Sequence, residues 1–208
     1  MIDKVKKIIS YYDSVDGKSK KTELGRFVTV DLSALNLAIS DLLSDSIIDR
    51  KKIFVDAGSG DGRVNLLISA GYGIPSLGIE CDLELHKSAC NHLSEFPKRY
   101  SSLIRLAHGD FSDDLVYNSE NVPFERVGTF FNYINNPQII AEKIAKQSPT
   151  GTKFLFWGAH HTYNFDKLNN LFSLKITTRE EGVSSDILTK YSKQDYHPSI
   201  SYFHIYEK

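Results

Sequence analysis

Apolar positions fall into two regimes along the chain. In the first fifty residues their spacing is helical. Ile2, Val5, Ile8 and Ile9 share one face of a short helix, and Leu32, Leu35, Ile39, Leu42 and Leu43 share one face of a second, with Asp31 or Ser33 as its N-cap. The stretch between them, Asp13 to Gly25, is polar and carries Lys18, Lys20 and Lys21 close together. From Lys52 onward short continuous apolar runs alternate with helical ones. Strands are expected at Ile53–Val55, Ser76–Glu80, Leu103–Leu106, Val127–Asn132 and Thr152–Trp157. Helices are expected at Val64–Ala70, at Leu83–Phe96 before Pro97, and at Gln138–Gln147 behind a first-turn Pro137. Ile53-Phe54-Val55 lacks polar alternation, as suits a strand covered on both faces.

The tail changes again. Leu174–Thr178 alternates like a strand, Glu180–Pro198 is polar and irregular, and Ile200–Tyr206 alternates strictly. These two strands predict an antiparallel pair closing an otherwise parallel sheet. Strands alternating with helices at this spacing predict a doubly wound α/β domain over 51–208, preceded by an N-terminal helical extension or lid over 1–50.

Composition narrows the function classes. The 208 residues suit one full domain. With 41% hydrophobic and 25% charged residues, a fully disordered chain is excluded. Lys and Arg number 25 against 26 for Asp and Glu, so net charge does not favour a nucleic-acid partner. No run of roughly 18 apolar residues suggests a membrane span, and the opening Met1-Ile2-Asp3-Lys4-Val5-Lys6-Lys7 has no apolar signal-peptide core. Cys81 and Cys90 cannot build a disulfide framework and are expected to be small buried hydrophobes. A cytoplasmic protein without a metal site is expected.

Asp56-Ala57-Gly58-Ser59-Gly60-Asp61-Gly62 follows the first parallel strand and opens a helix. That context makes a glycine pattern a candidate site. The spacing G-x-G-x-G differs from the dinucleotide fingerprint, and no Lys-Ser/Thr follows for a phosphate loop. An acid at the strand end repels pyrophosphate but suits a ligand with an amino group. Glu80 ends the second strand, where an acid accepts hydrogen bonds from ribose hydroxyls. Asp110, followed by Phe111, ends the third strand and is placed for an adenine, or else caps the next turn. Asp61 and Arg63 read as a local ion pair or as surface charges.

With these residues the chain resembles the class I S-adenosylmethionine-dependent methyltransferases. The resemblance covers roughly residues 50–160. It implies a seven-stranded, mostly parallel Rossmann-like sheet in the order 3-2-1-4-5-7-6, with an antiparallel final strand. It also implies S-adenosylmethionine as cofactor, held by Asp56, Gly58, Ser59, Gly60, Gly62, Glu80, Cys81, Asp110, Phe111 and Asn132. The string Phe54-Val55-Asp56-Ala57-Gly58-Ser59-Gly60-Asp61-Gly62-Arg63-Val64 is similar to small archaeal protein lysine methyltransferases, which implies a lysine amine as acceptor. A small molecule or RNA is the next acceptor class. A non-catalytic S-adenosylmethionine-binding partner or regulatory subunit is the alternative of a different kind.

In this resemblance the residues after the fourth strand face the transferring methyl. Here that segment reads Asn132-Tyr133-Ile134-Asn135-Asn136-Pro137. Asn132 and Tyr133 are the catalytic candidates, able to orient an amine through carbonyl and hydroxyl oxygens; alternatively Asn132 caps the strand end and Tyr133 packs in the core. His160 and His161, after the fifth strand, are further candidates for a base.

Overall fold

The computed structural model describes residues 2–15, 19–22, 25–158, 163–177, 187–191 and 201–208. Helix α1 (Ile2–Ser14) buries Val5, Ile8 and Tyr12 at positions spaced three and four apart. A small antiparallel hairpin follows, β1 (Lys20–Thr22) and β2 (Gly25–Phe27). This hairpin begins in the stretch expected to be a polar loop and runs two residues past it, and three-residue strands are too short to show alternation. Helix α2 (Leu32–Ser44) starts at Asp31, whose carboxylate accepts from the Ser33 and Ala34 amides, satisfying two of the N–H groups left open at a helix start.

The main sheet then assembles. Strand β3 (Ile53–Ala57) is buried at every position. Phe54 faces the cluster of α1 and α2, while Val55 faces the opposite one. The expected helix from Val64 is a single turn of α-helix, α3 (Arg63–Leu66), that widens into a π-turn over Leu67–Gly71. Next come β4 (Ser76–Glu80), α4 (Leu83–Ser94), α5 (Lys98–Ser101) and β5 (Ile104–His108). Then follow α6 (Asp114–Ser119), β6 (Val127–Tyr133), α7 (Pro137–Gln147) and β7 (Lys153–Gly158). The tail supplies β8 (Asn169–Thr177), β9 (Ile187–Tyr191) and β10 (Ser201–Glu207).

The sheet order is β5-β4-β3-β6-β7-β10-β8-β9. Its first seven members reproduce the order 3-2-1-4-5-7-6. The eighth, β9, is an addition: it pairs antiparallel with β8, inside the segment expected to be irregular. β10 runs antiparallel to both β7 and β8, between which it is inserted. Its alternation does not separate a wet face from a dry one. Phe203 and Ile205 enter the α1/α2 cluster and Tyr206 the other, because a strand inside a sheet with helices on both sides is covered twice.

Helices α1 and α2 share one hydrophobic cluster with Phe54, Val64, Leu67, Phe131 and Trp157. Residue 50, the expected domain boundary, falls in the turn before β3. Among the described residues no helix is long and apolar enough to cross a membrane. Cys90 is exposed rather than buried, because α4 turns only Ala89 fully inward, and Cys81 is partly exposed.

Candidate functional site

The carboxyl ends of the central parallel strands meet at the turn between β3 and α3. There the chain reverses within a few residues: the Gly58 and Ser59 amides both donate to Ile79 O of β4 at 2.9 Å, and Gly62 N donates to Ser59 O at 2.9 Å. Gly60 and Gly62 sit at φ +54° and +78°, in the left-handed region that side chains disfavour. Gly62 is also pressed against α4, where an added Cβ would stand 3.0 Å from that of Ala89.

Glu80, at the end of β4, is fixed by this turn. Its Oε2 accepts from Gly60 N at 2.8 Å and its Oε1 from Asp82 N at 2.8 Å. Cys81 Sγ also donates to Oε1 at 3.5 Å, so Oε2 is the oxygen that keeps a lone pair for a further donor. Asp56, at the end of β3, is 2% exposed. Burial, and then the carboxylates of Glu80 and Asp61, hold its proton affinity well above the ordinary carboxylate range. With the Asn65 amide oriented to suit its neighbours, its nitrogen donates to Asp56 Oδ2 at 3.2 Å.

Asp61 and Arg63 form the expected local ion pair, but a buried one. Arg63 Nε and Nη2 reach the Asp61 carboxylate at 2.9 and 2.6 Å. The guanidinium lies over the Tyr12 ring, 5.0 Å from its centre, and the Tyr12 hydroxyl donates to Asp61 O at 3.3 Å. Helix α1 thus braces the glycine turn from behind.

A cavity of about 70 Å³ opens beside this turn. Its wall includes Asp56, Gly58, Ser59, Gly60, Glu80, Cys81, Phe111 and Tyr133 of the expected residues. Gly62, Asp110 and Asn132 are not part of its lining. Asp110 Oδ1 accepts from Ser112 N at 2.7 Å, forming a turn ahead of α6. Asn132 is buried, and its Nδ2 donates to Ala57 O at 2.7 Å. Its Oδ1 has no hydrogen-bond partner among the described residues. Tyr133 packs edge-on against Trp157, and burial raises its hydroxyl pKa. His160 and His161 lie outside the described residues.

The rest of the wall comes from residues of the N-terminal segment that the sequence did not single out: Thr22, Gly25, Arg26, Phe27, Val28 and Val30, from the hairpin and the chain leading to α2. Phe27 was one aromatic in a polar stretch, with no spacing to mark it. Asn135 also lines the wall, but its amide is engaged with the hairpin, donating to Arg26 O at 2.9 Å and accepting from Arg26 N at 3.4 Å.

Chemically the wall suits a cation with several hydrogen-bond donors. Arg63 offsets Asp61, which leaves Asp56 and Glu80 as the acids of the cavity wall without a cationic partner among the described contacts. This acceptor set fits the ammonium, ribose and sulfonium of S-adenosylmethionine and disfavours a pyrophosphate. Among the described residues no group of His, Cys, Asp and Glu is arranged to hold a metal ion.

No protein-family model matches this sequence, and no curated protein does. Solved structures match by shape. One is an RNA methyltransferase from Salinibacter ruber in complex with S-adenosyl-L-homocysteine, 18% identical, with a TM-score of 0.51 over 82% of this chain and 90% of that one. Another is the precorrin-6y C5,15-methyltransferase from Geobacter metallireducens GS-15, 11% identical, with a TM-score of 0.54 over 92% of this chain and 93% of that one. At these identities the likeness is one of fold, and that fold is the class I methyltransferase fold.

Proposed function

We propose that this protein is an S-adenosylmethionine-dependent methyltransferase whose acceptor is a protein side-chain amine, most plainly that of lysine. The observation that carries the cofactor reading is the pair of buried carboxylates, Asp56 and Glu80, on either side of the glycine turn at the carboxyl edge of the class I methyltransferase fold. The acceptor reading rests on the likeness of the segment 54–64 to small archaeal protein lysine methyltransferases.

S-adenosylmethionine, when bound, supplies a methyl group on a good sulfonium leaving group. The chain then has to align and to hold. The free lone pair on Glu80 Oε2 takes a ribose hydroxyl, and Asp56 faces the amino end. Phe111 offers an apolar wall to the adenine. Asn132, whose Nδ2 is committed to Ala57 O and whose buried Oδ1 has no partner among the described residues, is the acceptor offered to the N–H of an incoming amine. An uncharged acceptor group orients an amine without protonating it, and in-line alignment supplies much of the rate. No general base is required if the amine arrives neutral.

Titration calorimetry tests the cofactor. S-adenosylmethionine or S-adenosylhomocysteine should bind near micromolar, about −8 kcal/mol, with NAD and ATP far weaker. Glu80→Ala should cost about 1–3 kcal/mol of that binding, since the ribose loses a charged acceptor. Tight NAD binding with no response to either sulfur compound would overturn the reading. Methyl label from the cofactor, followed into the protein, RNA and small-molecule fractions of a lysate, tests the acceptor. Label confined to RNA or small molecules replaces lysine with those classes, and no label in any fraction leaves a non-catalytic binding subunit.

A further inference from the structure

The cavity beside the glycine turn is far smaller than the ligand proposed for it. It holds about 70 Å³, whereas sites for ligands of nucleoside size run from about 300 Å³ upward. The space is filled by the hairpin. Phe27, which follows Arg26 on β2, lies on the glycine turn so closely that a Cβ added to Gly60 would stand 2.5 Å from its Cε2 atom. The side of Gly60 on which a Cβ would stand is therefore covered by a phenyl ring.

The hairpin is pinned at both ends of the cavity. At the β4 end, Lys20 of β1 pairs with Asp82 at 2.9 Å, two residues beyond Glu80. At the β6 end, the Asn135 amide bonds both main-chain groups of Arg26, as one more strand residue would. The fit is close: a Cβ on Gly25 would stand 2.9 Å from Asn135 Oδ1. Asn135 is itself aimed by a tight turn, in which its N–H donates to Tyr133 O at 2.7 Å and Ile134 is forced to φ +56°. A β-branched residue in that region is a conformational outlier, and such outliers persist where surrounding structure fixes them.

We propose that the β1–β2 hairpin is a gate on the cofactor pocket: Phe27 is the plug, Lys20–Asp82 and Asn135–Arg26 are the latches, and the cofactor enters only after the hairpin lifts. The gate rests on the reading of the pocket as an S-adenosylmethionine site. The latch at Asn135 follows directly on the strand that carries Asn132 and Tyr133, so opening at the cofactor end disturbs the acceptor loop too. Asn135 is on this account a positioning residue that couples the two.

Stopped-flow binding of S-adenosylhomocysteine, read by the fluorescence of Trp157, the single tryptophan, tests the gate. In the wild type the observed rate should level off at high ligand, at the opening rate of the hairpin. Phe27→Ala should remove the plateau and raise the association rate about tenfold or more, because the competent fraction rises. Phe27→Leu, which keeps the packing, should fall between. Trypsin provides a measurement without ligand: cleavage after Arg26 should be slow in the wild type and several-fold faster in Asn135→Ala. A linear rate in the wild type, equal to that of Phe27→Ala, overturns the gate while leaving the cofactor reading intact. Equal cleavage of wild type and Asn135→Ala overturns the latch. If neither wild type nor Phe27→Ala binds S-adenosylhomocysteine, the cofactor reading fails and the gate with it.

Discussion

Burial first, and then the carboxylates of Glu80 and Asp61, discourage the charge of Asp56. Its folded pKa therefore lies above its unfolded one, near 3.9. The native state holds this proton more tightly, so the stabilisation is complete below the unfolded pKa. It is lost as pH rises from there through the raised folded value. Asp56→Asn keeps an oxygen for Asn65 and removes the titration. Its melting temperature should rise relative to the wild type as pH goes from 4 to 7.5, while its affinity for a cationic cofactor falls. A difference in melting temperature that stays constant across this range would show that the carboxyl is ordinary.

Asn132 makes the complementary case. Asn132→Ala should leave cofactor affinity within a few-fold and lower turnover at least about tenfold, about 1.4 kcal/mol of transition-state stabilisation. The melting temperature is measured alongside, because Ala57 O loses its buried donor in this variant. Full turnover on an identified substrate would make Asn132 a strand-end brace. At this scale the sequence was informative wherever a residue type has few uses. An acid at a strand end followed by alternating glycines has few, and the structure puts Asp56, Gly58, Gly60 and Glu80 around one cavity. Asp110 has many uses, and in the structure its carboxylate forms a local turn.

Elements were legible in proportion to their length and burial. The central strands announced themselves because strands covered on both faces leave uninterrupted apolar runs, as in Ile53-Phe54-Val55. Helix α2 was marked twice, by spacing and by the Asp31 cap. The hairpin was invisible for two reasons. Its strands have three residues each, and its partners are side chains from distant segments: Asp82 for Lys20, and Asn135 for Arg26. The π-turn after α3 was equally hidden, since the apolar run Leu66-Leu67-Ile68 fits any helical winding. Inside it, Ser69 Oγ bonds Ile74 O at 2.7 Å and Ser76 Oγ at 2.8 Å, ties made by the connection to β4 rather than by local preference.

The whole molecule depends on its final strand. β10 joins β7 to β8, and Tyr202, Phe203, His204, Ile205 and Tyr206 are all buried. His204 Nδ1 meets Ser173 Oγ at 2.7 Å, and Tyr206, its hydroxyl pKa pushed up to about 12 by burial, accepts a hydrogen bond from Tyr163 N at 3.0 Å. Each large apolar side chain removed from such a place costs about 1.5–3 kcal/mol, so several together rival the roughly 5–15 kcal/mol that holds a domain folded. A chain ending at residue 200 should show no cooperative thermal transition by circular dichroism. A sharp melt in that truncation would mean that β7 and β8 manage without their shared neighbour.

That insertion also orders events in time. A ribosome delivers β7 and then β8 while the strand that belongs between them is still unmade. At about 5–20 residues per second the nascent chain spends seconds with the β7 edge unpaired, displaying Phe154, Leu155, Phe156 and Trp157. Open hydrophobic strand edges template association with other chains. The sheet becomes safe only when its last strand threads between two that are already waiting. The aggregation hazard of synthesis therefore lies in the interval between the emergence of β7 and the arrival of β10, and holdase chaperones should engage the nascent chain chiefly then.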